Sequence, residues 1–282
     1  MRLEHAGRTK AEIAYLSMVE AMDETGCNEL VDPEEVDPQE PMVWPSTLRH
    51  IDEVCGGFYG LVTFAARKGT GKTLLALASS IEAAAAGWQV CYFASEDDMD
   101  GIATRFNNYI GSHTERFSAV KENLHVFQCA RGQTPHQLTV DIASVCDMAS
   151  DKPILTVVDS LNSLVEMSGY RYLDGLTQFG LWAMLSRRMS RGCASFLFVS
   201  ETNKRDEVKG EKLPYWSDQV LLMKRSEGGA DIVEMTLDKS RRTGGVGPMG
   251  KFIRIWDTGE FMSESELEQG SGRTLRVVGG GA

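Results

Sequence analysis

The sequence predicts an α/β protein: a doubly wound, mainly parallel sheet with helices on both faces and an antiparallel extension at one edge. Three observations carry that reading. From Ser46 onward, short apolar strand-like runs alternate with helix-like patterns. The runs are continuously apolar, as strands covered on both faces are, and do not alternate with polar residues. Past residue 218 the helices give way to strands joined by a hairpin.

The elements follow in order. TLRHIDEV reads as a helix ending at Gly56-Gly57, and LVTFAA (61–66) as a buried strand. Lys72 to Ala86 is an Ala-rich helix stopped by Gly87, and QVCYFA (89–94) a second strand. Thr134-Pro135 starts a helix running to about Ala149, because proline is favoured in the first turn. ILTVV (154–158), a helix from about Tyr172 to Arg191 closed by Gly192, and SFLFVS (195–200) follow. QVLLMK (219–224), turn residues Gly228-Gly229, IVEMTL (232–237) and KFIRIW (251–256) make the antiparallel extension.

The ends of the chain read differently. Residues 8–22 place Ile13, Leu16, Val19 and Met22 on one helical stripe, so residues 1–23 are expected to form a helical arm. The arm packs either on its own domain or on an adjacent subunit. Residues 24–45 form an acidic, Pro-rich linker with Trp44 pinning its far end, residues 46–262 the folded domain, and residues 263–282 a flexible tail.

Charge is divided the same way. The net −11 comes from 29 basic and 40 acidic residues, yet residues 41–256 hold 24 of each. The acidity lies in the flanks. No run approaches the about 18 apolar residues of a membrane span, and the N-terminus lacks a signal-peptide core. The six cysteines contain no CxxC, which argues against zinc ribbons and disulfide scaffolds, and the five histidines never pair at metal-binding helical spacing, with no HExxH. A reducing, cytoplasmic location is expected.

The strongest motif is Ala66-Arg67-Lys68-Gly69-Thr70-Gly71-Lys72-Thr73, which departs from GxxxxGK[ST] only in its first residue. A strand precedes it and a helix follows. Gly69 and Gly71 let backbone N–H groups turn around a phosphate, and the helix N-terminus adds partial positive charge. Lys72 would reach the β- and γ-phosphates of ATP, and the Thr73 hydroxyl would bind Mg²⁺. Asp159, at the end of ILTVV, is the expected carboxylate partner of that magnesium. Glu96, after the second strand, would polarise the attacking water. Its plainer alternative is one more solvated acid in the cluster Glu96-Asp97-Asp98-Asp100, capping the next helix.

These three positions, in this order, resemble the RecA-type ATPase fold, and most closely the helicase domain of the DnaB family of replicative ring helicases. Ala66-Arg67 opening the loop is similar to that family's version, as is Lys239-Ser-Arg-Arg-Thr-Gly-Gly-Val-Gly247 followed by KFIRIWDTGEF. The resemblance covers roughly residues 46–262. It implies that Lys239 and Arg241 act on the ATP of a neighbouring subunit, so that hydrolysis needs an assembled ring, expected to be a homohexamer, or a filament. It also implies a sensor at Glu201 and Asn203, where Asn203 and Lys204 match the family and Glu201 departs from it. The loop KRDEVKGEK (204–212) would contact single-stranded DNA through Lys204, Arg205, Lys209 and Lys212, with the stretch Asn162–Gly175 as a second candidate. Forty-five residues are too few for that family's N-terminal helical domain. The expectation is therefore a motor without its accessory domain, of the kind a phage or mobile element encodes.

Three functions compete at this stage. The first is an ATP-driven DNA helicase or translocase, working with a replication or recombination partner protein. The second is a minimal recombination or annealing ATPase forming filaments on DNA. The third is a regulatory ATPase acting on a protein partner.

Overall fold

The structure, a computed structural model, describes residues 42–111, 117–146, 152–189, 193–209, 212–227, 229, 231–244, 246–263 and 266. The arm 1–23, most of the linker 24–45, Arg191 and nearly all of the tail lie outside the described residues.

Two short strands, β1 (Val43–Trp44) and β2 (Phe58–Tyr59), pair antiparallel around α1 (Arg49–Cys55). Trp44 is fully buried against Phe58 and Trp88, with ring centroids 6.0 and 5.5 Å away. The far end of the linker is thus anchored in the core. The main sheet then begins with β3 (Leu61–Ala66), all six residues buried. After it come α2 (Lys72–Ala85), β4 (Gln89–Ala94), α3 (Met99–Gly111), α4 (Phe117–Asn123) and β5 (Leu124–Gln128). The second half holds α5 (Pro135–Val145), β6 (Ile154–Asp159), α6 (Leu161–Ser168), α7 (Tyr172–Met189) and β7 (Ala194–Glu201). Then α8 (Lys212–Trp216) leads to β8 (Gln219–Arg225), β9 (Ile232–Ser240), β10 (Gly247–Ile255) and β11 (Glu260–Ser263).

The nine strands lie in the order β11-β10-β9-β8-β3-β7-β6-β4-β5. From β8 to β5 every pair is parallel, and from β8 outward to β11 every pair is antiparallel. Side chains alternate between two cores, as the two-residue strand period requires. Val90, Tyr92 and Ala94 face the core under α1, α2 and α3, whereas Cys91 and Phe93 face the core under α5, α6 and α7. Thr134 caps α5 as expected, its hydroxyl accepting from Gln137 N at 3.3 Å, with Pro135 in the first turn.

Two features depart from the sequence reading. β5 was not anticipated: it is an edge strand of intermediate burial, so LHVFQ lacks the unbroken apolar run of the central strands. The stretch Asn162–Gly175, read as a loop open to nucleic acid, is the body of α6 and the start of α7. Ser160 N-caps α6, and Asn162 is buried, accepting from Glu201 N (2.8 Å) and Ser200 Oγ (3.1 Å). Within that stretch Tyr170 and Arg171 remain exposed.

Candidate functional site

Strand register brings the motif residues to one end of the sheet. Ala66 stands beside Glu201 on β7, and Ala94 beside Asp159 on β6. The phosphate loop leaves β3 at this edge, and Glu96 lies two residues beyond β4.

The loop is built by backbone geometry. Gly69 and Gly71 have φ of +75° and +107°, the left-handed region that glycine adopts without strain. A Cβ on Gly71 would stand 2.9 Å from Phe261 Cζ. Gly71 caps α2 without any side-chain hydrogen bond, so the first-turn N–H groups lack a capping oxygen. Lys72 Nζ donates to Ala66 O at 3.0 Å and Arg67 O at 3.2 Å. Burial lowers the Lys72 pKa, while Glu96, Asp159 and Glu201 oppose that shift. One ammonium therefore faces three carboxylates.

Asp159 is buried and accepts from Tyr92 Oη at 2.6 Å and from the Thr73 hydroxyl. Burial pushes its carboxyl up to about 6, although both hydrogen bonds pull the other way. Glu96 accepts from Ser160 Oγ at 2.6 Å and Ser163 Oγ at 2.8 Å. Its acidic neighbours do other work: Asp97 pairs with Arg105, and Asp98 accepts from Gly101 N at 2.8 Å in the first turn of α3. Glu96 is thus separate from the helix-capping acid.

Glu201, the departure noted in the sequence, is paired with Lys209. That hydrogen bond holds the Glu201 carboxyl below its ordinary range, with Lys72 and Lys68 adding to the effect. Asn203 builds the next turn: its Oδ1 accepts from Arg205 N (2.8 Å) and Glu207 N (3.1 Å), and its Nδ2 donates to Glu207 Oε2 (2.8 Å). Lys204 and Arg205 are exposed, and the Lys212 side chain lies outside the described residues. Arg67 ties this turn to the phosphate loop, through Asp206 Oδ1 (2.7 Å) and Lys204 O (3.0 Å).

Lys239 and Arg241 are elsewhere. Lys239 pairs with Val220, itself beside Thr63, and Arg241 N donates to Asp218 O at 2.9 Å. Asp218 N in turn donates to Leu61 O at 2.7 Å, so Arg241 stands level with the first residue of β3. The phosphate loop leaves the other end of that strand, about 17 Å away at about 3.3 Å per residue. Lys239 Nζ donates to Pro214 O (2.6 Å) and Tyr215 O (3.1 Å), and Arg241 to Tyr215 O. These two cations point away from the loop of their own chain.

Sequence reasoning missed several supporting residues. Tyr92, Ser160 and Ser163 hold the two acids, and Arg225 and Arg254 both donate to Gly69 O. One signal was available for Arg254: in KFIRIW the two-residue period puts it on the same face as buried Phe252.

No protein-family profile and no curated protein matches the chain. Solved structures do. An isolated ATPase domain is 16% identical with a TM-score of 0.65, covering 91% of this chain and 99% of its own. A DnaB-like replicative helicase, solved in a study of its interactions with primase, is 15% identical with a TM-score of 0.68, covering 90% of this chain and 76% of its own. A KaiC-like protein from the hyperthermophilic archaeon Pyrococcus horikoshii is 14% identical with a TM-score of 0.61, covering 79% and 99%. The chain therefore has the RecA-like α/β fold that these ATPase and KaiC-like proteins share.

Proposed function

We propose that the chain is an ATP-hydrolysing motor on single-stranded DNA, a DnaB-like helicase or translocase that works as a ring, with six subunits as the expected number. The observation that supports it best is the separation of parts. Loop, Asp159 and Glu96 gather at one end of the sheet, while Lys239 and Arg241 stand at the other, where they would reach a second subunit's nucleotide rather than their own.

The residues fit a nucleotide triphosphate with magnesium. The uncapped N-terminus of α2 and the Lys72 ammonium would take phosphate charge. Thr73 and Asp159 would hold Mg²⁺, which, when bound, draws charge from the phosphate oxygens. Glu96, an exposed carboxylate kept in place by two serine hydroxyls, would accept the proton of the attacking water. Arg241 and Lys239 would leave their carbonyl partners and neutralise charge on the neighbouring subunit's transferring phosphoryl group. Lys204 and Arg205 would meet the DNA backbone, and Arg67, bound to their turn, would carry loop movement to it.

One observation favours a second reading, a regulatory ATPase acting on a protein partner. Lys209 is held by Glu201, which leaves Lys204 and Arg205 as the exposed cations among the described residues of the 203–209 turn. A recombination or annealing filament differs from a ring only in the angle between subunits. ATP hydrolysis measured against protein concentration, with and without single-stranded DNA, separates these readings. Cooperative dependence on concentration with strong DNA stimulation is expected. A rate indifferent to DNA moves the assignment to the regulatory ATPase, and tight strand coating without unwinding of a fork moves it to the filament.

A further inference from the structure

We infer that Arg254 and Arg225 are positioning residues that hold the phosphate loop in its phosphate-receiving shape, and so set nucleotide affinity from the antiparallel edge of the sheet. The inference rests on the reading of the loop as an ATP site.

Both guanidinium groups converge on one carbonyl. Gly69 O accepts from Arg225 Nη2 at 2.6 Å and from Arg254 Nη1 at 3.0 Å. A trans peptide points its C=O and N–H in opposite directions, so anchoring Gly69 O outward fixes the plane that carries the Thr70 N–H. That N–H has only a long contact inside the loop, 3.4 Å to Arg67 O. The two arginines come from different strands, Arg225 from the last residue of β8 and Arg254 from the last but one of β10. The loop is braced from both.

Arg254 is an unusual choice for its position. It is 4% exposed, on the face where Phe252 packs. Burying a guanidinium is expensive, and well-packed apolar residues in place of a buried ion pair are often neutral or stabilising. Stability alone therefore gives no reason for an arginine. The surroundings are arranged to keep it charged and aimed: Nη2 lies 3.2 Å from Asp231 Oδ1, and Cζ stands 3.7 Å from the Trp256 ring centroid. Trp256 Nε1 also donates to Asp231 Oδ1 at 2.6 Å, locking the acid between the two. With one side of the guanidinium held this way, the other reaches the loop. A Cβ on Gly71 would sit 3.1 Å from Arg254 Cδ, so this side chain also packs against the second glycine of the loop.

The test is equilibrium binding of a fluorescent ATP analogue to the full chain, with thermal melting to verify folding and turnover measured at saturating ATP. Arg254→Met is expected to weaken binding about tenfold while turnover at saturation stays within about threefold. Arg254→Lys, which keeps a donor for Gly69 O, is expected to restore most of the affinity. Arg225→Ala, at an exposed strand end, tests the same carbonyl if Arg254→Met fails to fold, and is expected to weaken binding about threefold. Folded variants that bind the analogue as tightly as the wild type would overturn the inference. So would a loss confined to turnover, or a Lys variant no better than Met. If the wild-type chain itself binds no ATP analogue, the ATP-site reading falls, and this inference with it.

Discussion

The two ends of the central strands are built on opposite plans. At the end where β3, β4, β6 and β7 finish, charged side chains face one another: Lys72 with Glu96, Asp159 and Glu201 around it. Each acid has its own hydroxyl or ammonium partner, from Tyr92, Thr73, Ser160, Ser163 or Lys209. At the other end, Lys239 and Arg241 bond to backbone carbonyls of α8, and Arg241 lies near Asp218. Carbonyl partners can be exchanged for an incoming anion at little expense, because carbonyls at a helix end readily take water instead. On the proposed reading, the first end would receive charge from its own chain's ligand, and the second would deliver charge outside the chain.

The largest effect should come from crossing that divide. Arg241→Ala is expected to lower ATP turnover about 10³-fold or more while ATP affinity stays near wild type, in steady-state kinetics paired with binding. An equal loss of affinity would place Arg241 at its own chain's site and erase the contrast. A core substitution should spare the distinction instead. Trp44→Ala is expected to destabilise the fold by about 3–5 kcal/mol in denaturant unfolding, because a cavity opens in the core between Phe58 and Trp88.

Tyr92→Phe removes one hydroxyl from the receiving end alone. Tyr92 is buried and aims at Asp159, so the variant is expected to raise the magnesium concentration for half-maximal ATPase about tenfold with little change in maximal rate. Magnesium dependence like the wild type's would mean that the phenol only fills space.

Much of this was legible in the sequence. The central strands announced themselves because they are covered on both faces and so are apolar throughout. The loop 66–73 was legible because its glycine and lysine spacing matches a phosphate-binding motif set between a strand and a helix. β5 was hidden by its half-exposed edge position, and α6 because the polar residues of Ser-Leu-Asn-Ser (160–163) serve as cap and buried junction, which look like loop residues in a linear reading. Arg225 and Asp218 gave no local motif, and Arg254 gave only its place on the buried face of KFIRIW. Their roles arise from contacts between segments more than 100 residues apart, as in Arg254 to Gly69.

The smallest effect concerns the carboxylate beside the loop. Lys209 holds Glu201 below its ordinary value of 4.5, so the folded chain keeps this charge where the unfolded chain has begun to protonate. The stability it supplies is present above about pH 4.5 and fades as pH falls through the lower folded value. Glu201→Gln should therefore flatten the acid limb of the stability curve, by no more than about 1 kcal/mol for so exposed a pair. A steeper acid limb in the variant would mean that the pair does not stabilise the turn.

The division between the two ends is tested most directly by mixing two inactive variants. Lys72→Ala cannot use its own phosphate loop but keeps Arg241, and Arg241→Ala keeps the loop but lacks the arginine. If the arginine works across a subunit boundary, each variant alone is inactive and the mixture regains a substantial share of wild-type ATP hydrolysis. A mixture no more active than its components, or full activity of Arg241→Ala alone, would contradict the account.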